Sequence, residues 1–96
     1  MATFVCLVTF TDQGIRNVKD SPERFDAVRA MAEKMGVTVK SGYYTIGDYD
    51  MMIIVEGPEE AAMALLLKVG SMGNVRSRSL RAFSPDEMRQ ILNKMP

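Results

Sequence analysis

Gly42-Tyr43-Tyr44-Thr45-Ile46-Gly47-Asp48-Tyr49-Asp50-Met51-Met52-Ile53-Ile54-Val55-Glu56-Gly57 holds all three tyrosines of the chain and its longest apolar strand signal. Two runs rich in aromatic and β-branched residues flank Gly47-Asp48. Glycine at the first central position of a two-residue loop is what a type II′ hairpin turn requires. Pairing then steps outward and sets Ile46 opposite Tyr49, Thr45 opposite Asp50, Tyr44 opposite Met51 and Tyr43 opposite Met52. Successive side chains alternate between faces, so Tyr44, Ile46, Tyr49, Met51, Ile53 and Val55 share one apolar face. Tyr43, Met52 and Ile54 share the other with Ser41, Thr45, Asp50 and Glu56.

Upstream, Thr3 to Phe10 is apolar on both alternations (Phe4, Cys6, Val8, Phe10 and Val5, Leu7), the pattern of a central strand covered on both faces. Ile15 and Val18 stand at helical spacing within Asp12 to Asp20. Ser21-Pro22-Glu23 restarts the helix, with serine as N-cap and proline at the first helical position. Phe25, Val28, Ala32 and Met35 continue the stripe until Gly36, a left-handed C-terminal residue. The hairpin strands run from Val37 to Ile46 and from Tyr49 to Glu56.

Downstream, Gly57-Pro58-Glu59-Glu60 opens a second long helix with acids in its first turn, where they complement the dipole. From Ala61 to Val69 the only charge is Lys68. Met63 and Leu67 lie beyond the Ala62, Leu65, Leu66, Val69 stripe and call for a second packing partner. After the turn Ser71-Met72-Gly73-Asn74, Val75 to Phe83 is strand-like but charged, as suits a guarded edge strand. Ser84-Pro85-Asp86-Glu87 is a capping box, opening a last helix whose Met88, Ile91, Leu92 and Met95 form one stripe.

The order β-α-β-β-α-β plus a helix is the ferredoxin-like split pattern: an α+β fold with a four-stranded antiparallel sheet, in a single domain spanning 1–96. Right-handed crossovers place the first and third strands centrally and the second and fourth at the edges. Both long helices then pack on one face, although the central strands are apolar on both. An open patch of that size exceeds the few hundred Å² a soluble monomer usually shows. Face-to-face packing of two sheets in a symmetric homodimer, a dimeric α/β barrel, is therefore expected. The alternative is a monomer in which the last helix folds over the open face.

Ser21-Pro22-Glu23-Arg24, Gly47-Asp48-Tyr49-Asp50, Gly73-Asn74-Val75-Arg76 and Leu80-Arg81-Ala82-Phe83-Ser84-Pro85 together resemble the GYD-domain family across nearly the whole chain. The resemblance implies the dimeric α/β-barrel fold and homo-oligomerisation, and carries no catalytic residue with it. Similar folds host oxygenases, haem-degrading enzymes and amino-acid-sensing modules, so the fold leaves the reaction open.

Acidic and basic residues balance at 12 each, which offers no electrostatic reason to expect a nucleic acid or an anionic membrane as partner. The apolar run from Phe4 to Phe10 falls far short of the roughly 20 residues of a membrane helix, and no targeting segment, repeat or low-complexity stretch is read. The single cysteine, Cys6, has no intrachain partner and reads as a small core residue of a cytoplasmic protein. Absence of histidine removes the commonest general base and haem or transition-metal ligand. The ligand count also excludes a structural zinc site, so no metal or cofactor is expected.

What remains is the aromatic hairpin, with acids beside it and arginines on the last strand. A phenol can donate to a bound oxyanion, and an arginine pairs with carboxylate or phosphate. Arg76 and Arg78 share one side of that strand and Arg81 takes the other. Tyr44, Gly47, Tyr49, Asp50 and Arg81 are the candidate ligand residues. The expected role is a regulatory or carrier homo-oligomer binding a small, partly apolar or anionic molecule. The competing reading is a cofactor-independent enzyme, oxygenase- or isomerase-like, using a tyrosine as acid or base.

Overall fold

The strand that is apolar on both sides takes the middle of the sheet. In the computed structural model, which describes residues 1–96, β1 (Ala2–Phe10) is followed by α1 (Asp12–Arg16), α2 (Ser21–Lys34) and β2 (Thr38–Tyr44). Then come β3 (Met51–Gly57), α3 (Glu59–Ser71), β4 (Val75–Ala82) and α4 (Pro85–Leu92). The strand order is β2-β3-β1-β4, antiparallel throughout, which is the ferredoxin-like α+β arrangement with one added helix. A smallest dimension of 18 Å leaves room for the sheet and one layer of helices.

Helix α2 lies over β2, and α3 over β3 and β4. Beneath them Cys6, Val8, Val39, Met51, Val55, Ala32 and Leu65 form one buried cluster, with Val37 at the entry to β2. On the opposite face two rows cross the sheet: Arg78, Leu7, Met52, Tyr43 and Leu80, Val5, Ile54, Ser41. Tyr43 and Leu80 are exposed there, and the apolar residues between them are only half-buried. Helix α4 does not fold over this face; it packs extensively on no other element, and Met88, Ile91 and Leu92 are exposed. Its capping box is formed, with Ser84 N–H donating to Glu87 Oε1 at 2.9 Å and Glu87 N–H to Ser84 Oγ at 3.1 Å.

Short helix α1 is fastened to the α3–β4 turn. Thr11 Oγ donates to Gly73 O at 2.6 Å while accepting from Gly14 N–H at 3.1 Å, and Gln13 Nε2 reaches Asn74 Oδ1 at 3.0 Å. A Cβ at Gly14 would sit 1.9 Å from the Asn74 carbonyl oxygen, so this contact requires glycine.

Three local expectations change. The hairpin register holds at Tyr43–Met52 and Tyr44–Met51, and Thr45 N–H still donates to Asp50 O at 2.8 Å, but residues 46–49 form a wider loop instead of a two-residue turn. The reason is Asp50: its N–H donates to Val8 O at 2.8 Å and its carboxylate accepts from Phe10 N–H, which turns this end of the hairpin toward β1. Next, Ser21 is the first residue of α2 and not its N-cap, because its hydroxyl is spent on Tyr44. Finally, α1 ends at Arg16 and a 3-10 turn covers Val18–Asp20, leaving Ile15 and Val18 exposed. No helix is long and apolar enough to cross a membrane.

Candidate ligand site

Helices α2 and α3 make little direct contact with each other, and between them and the sheet lies a cavity of about 90 Å³. Its floor is Cys6, Val8, Met51, Ile53 and Val55; Phe25 and Val28 of α2 form one wall, and Leu65, Leu66 and Val69 of α3 the other. Gly42 on β2 admits the Phe25 ring, since a Cβ there would lie 2.6 Å from the ring's Cζ. Thirteen of the 17 lining residues are hydrophobic. The polar ones are Ser21, Arg24, Asn74 and Ser77, and none is a carboxylate.

Ser21 and Arg24 are three residues apart on one helix and therefore face the same way. Ser21 is 4% exposed, and its Oγ and the Tyr44 hydroxyl are 2.8 Å apart. Arg24 Nη1 donates to Asn17 O at 2.7 Å, while Nη2 is fully buried and has no acceptor. The chain's three salt bridges all involve other residues, so the Arg24 charge is not paired. A buried N–H left unmatched costs about 1–3 kcal/mol, and more when charged.

Cys6 lies in the floor as a thiol: burial pushes its pKa up, partly offset by the Ser79 hydroxyl donating to Sγ at 3.6 Å. No group of three or more Asp, Glu, Cys or His side chains converges anywhere.

The residues singled out in the sequence are not brought together. Tyr44 reaches the cavity only through Ser21. Gly47 is at the exposed tip with φ +131°. Tyr49 stands on the open sheet face beside Leu7, Thr9, Arg76 and Arg78. Asp50 binds Phe10 N–H at 2.8 Å, tying the hairpin to the end of β1. Arg81 is toward the other end of the sheet, opposite Phe4, with its guanidinium 5.8 Å from the Phe4 ring, 4.4 Å from Phe83 and 3.7 Å from a Glu59 oxygen. Sequence reasoning missed Arg24 and the inward turn of Ser21. Both stand in Ser21-Pro22-Glu23-Arg24, and their spacing, continuous with the Phe25 and Val28 stripe, was the available signal.

A helix-covered face, an open face and a cavity between the layers define a ferredoxin-like fold. Residues 4–92 match the GYD domain, and the chain belongs to that family. It is similar to the glutamine synthetase and cystathionine beta-lyase binding protein of Thermus thermophilus, 36% identical over 84 residues, which are 85% of this chain and 88% of the relative. Among solved structures it resembles the feast or famine regulatory protein from M. tuberculosis complexed with L-methionine, with TM-score 0.65 and 21% identity. The match covers 88% of this chain and 51% of that regulator, so the chain spans about half its length. A second structure, of an FFRP, matches with TM-score 0.60 and 21% identity over 86% of this chain and 100% of that one.

Proposed function

We propose that this chain is a non-catalytic homo-oligomeric binding protein of the cytoplasm, acting as a regulator or carrier that takes a small, partly apolar ligand into the cavity beneath α2 and α3. The observation that carries this reading is the cavity itself, apolar on floor and walls, with one buried guanidinium nitrogen lacking an acceptor. Small-molecule sites have this composition, an apolar concavity with few polar groups. A regulatory role also fits a relative whose name records binding to two enzymes.

The second copy is assigned to the open sheet face. Its central rows, Leu7–Met52 and Val5–Ile54, are apolar and flanked by Arg78 and Leu80 on one side and Tyr43 and Ser41 on the other. A two-fold axis lets such a face pack on itself with its charges at the rim. Tyr49 and the β4 arginines then stand at the edge of that interface. The exposed stripe of α4 and the surplus Met63 and Leu67 of α3 remain for a further subunit or a client protein.

Native mass spectrometry of protein isolated gently from its own host tests both parts. A dimer or larger species with a small retained mass is expected. A monomer across the accessible concentration range overturns the assembly. A pH-dependent turnover lost in Tyr44→Phe or Tyr49→Phe would replace this reading with the enzymatic one.

A further inference from the structure

From the polar end of the cavity we infer that the ligand is a short aliphatic monocarboxylate, its carboxylate held by Arg24 and Ser21 and its tail lying among Val28, Met51, Leu65 and Val69. This rests on the reading of the cavity as a ligand site and assigns the chemistry recognised there. The charge comes from Arg24, whose Nη2 is buried without an acceptor and whose guanidinium has no acidic partner. A bound anion supplies the missing acceptor and the missing counter-charge together, and charge-assisted bonds of this kind are roughly twice as strong as neutral ones.

Ser21 supplies the second contact. Of the two protons on the Ser21 and Tyr44 hydroxyls, one is used between them; with Tyr44 donating, Ser21 Oγ–H is free for the second carboxylate oxygen. Arg24 is itself steadied by the Nη1 bond to Asn17 O at 2.7 Å. The bound state then needs little reordering of the guanidinium.

Size and lining narrow the class. Scaled from an apolar cavity of about 150 Å³ that accepts benzene, the volume suits roughly four non-hydrogen atoms, the carbons of a short branched acid with its carboxylate oxygens toward Arg24 and Ser21. A dianionic phosphate would find one guanidinium and three neutral polar side chains in a mainly apolar cavity, which does not compensate its desolvation. A zwitterionic amino acid is disfavoured for the opposite charge: no Asp or Glu lines the cavity to receive an ammonium. A plain carboxylate with a branched apolar tail meets Arg24, Ser21 and the apolar lining.

The test is a methyl NMR titration of the full chain labelled at methionine, reading Met51 and Met72, which both line the cavity. The probes are 2-methylpropanoate, its neutral isostere 2-methylpropanamide, and L-valine. Saturable shifts at Met51 and Met72 are expected, with the carboxylate binding about tenfold more tightly than the amide and valine not binding in the cavity. Arg24→Met should abolish that preference and retain amide binding. Arg24→Lys should keep part of it. Equal affinity of carboxylate and amide in the wild type overturns the inference but leaves the cavity reading standing, and needs no variant to fold. Survival of the preference in Arg24→Met, or valine matching the carboxylate, overturns it equally. If no probe moves Met51 or Met72, both the inference and the cavity reading fall.

Discussion

Replacing Asp50 by alanine should destabilise the fold more than its place on a hairpin end suggests. The half-buried carboxylate accepts the Phe10 N–H at 2.8 Å, the last amide of the central strand, while the Asp50 N–H donates to Val8 O at 2.8 Å. Alanine keeps the backbone bond and removes the acceptor. A hydrogen bond to a charged group contributes about 1.5–3 kcal/mol, and an orphaned buried donor costs about 1–3 kcal/mol, two descriptions of one loss that centre on about 2 kcal/mol. For a domain of this size that lowers Tm by about 8–16 °C, at about 4–8 °C per kcal/mol. Asp50→Asn retains an acceptor oxygen and forfeits only the charge, so it should cost about half as much. Urea unfolding at fixed pH, followed by circular dichroism for wild type and both variants, measures the series. A loss below about 0.5 kcal/mol in Asp50→Ala, or an asparagine variant as weak as the alanine one, would refute the assignment of Asp50 as the clamp between hairpin and β1.

Gly14→Ala places a Cβ 1.9 Å from the Asn74 carbonyl oxygen, so α1 must lift from the α3–β4 turn; about 1–3 kcal/mol of stability should be lost, with Thr11 and Gly73 amide shifts moving together. Cys6 is buried with a raised pKa, so iodoacetamide should modify the native protein only through its unfolding equilibrium and the urea-unfolded chain at once; rapid native labelling contradicts the buried placement. Glu87 is exposed and its pKa is lowered by the hydrogen bonds with Ser84, so its help to α4 is present above the ordinary glutamate range and lost as pH falls through the lowered value. The Ser84 and Glu87 amide resonances should report that loss in the wild type, whereas Glu87→Gln, which can still accept from Ser84 N–H, should show none.

Much of the fold was legible because the signals were local and redundant. Phe4, Cys6, Val8 and Phe10 with Val5 and Leu7 could describe only a central strand, and Tyr43 and Tyr44 pair with Met52 and Met51 as alternation requires. The exposed arginines of β4 marked an edge, and Ser84 with Glu87 marked a helix start. The hairpin tip was misread because Asp50 answers to β1, a partner some 40 residues distant in sequence. No turn rule contains that contact. Ser21 looked like an N-cap for the same reason: its competing partner, Tyr44, arrives from another element.

The site was less legible than the fold. Tyr49 and Arg81 are separated by the sheet's own dimensions, and spacing along the chain does not report that. Arg24 looks in sequence like any exposed charge on an amphipathic helix. Only the three-dimensional placement of Asn17 and the cavity wall shows one of its nitrogens to be buried and unmatched.

The central claim is that the space beneath α2 and α3 is where a small ligand binds. Intermolecular NOEs from the methyl groups of 2-methylpropanoate to the protein test it most directly. Binding in the cavity predicts NOEs to the side chains of Val28, Leu65 and Val69, which line it. NOEs confined to Val5, Leu7, Met52 and Ile54 on the open face, or none at saturating ligand, would contradict it.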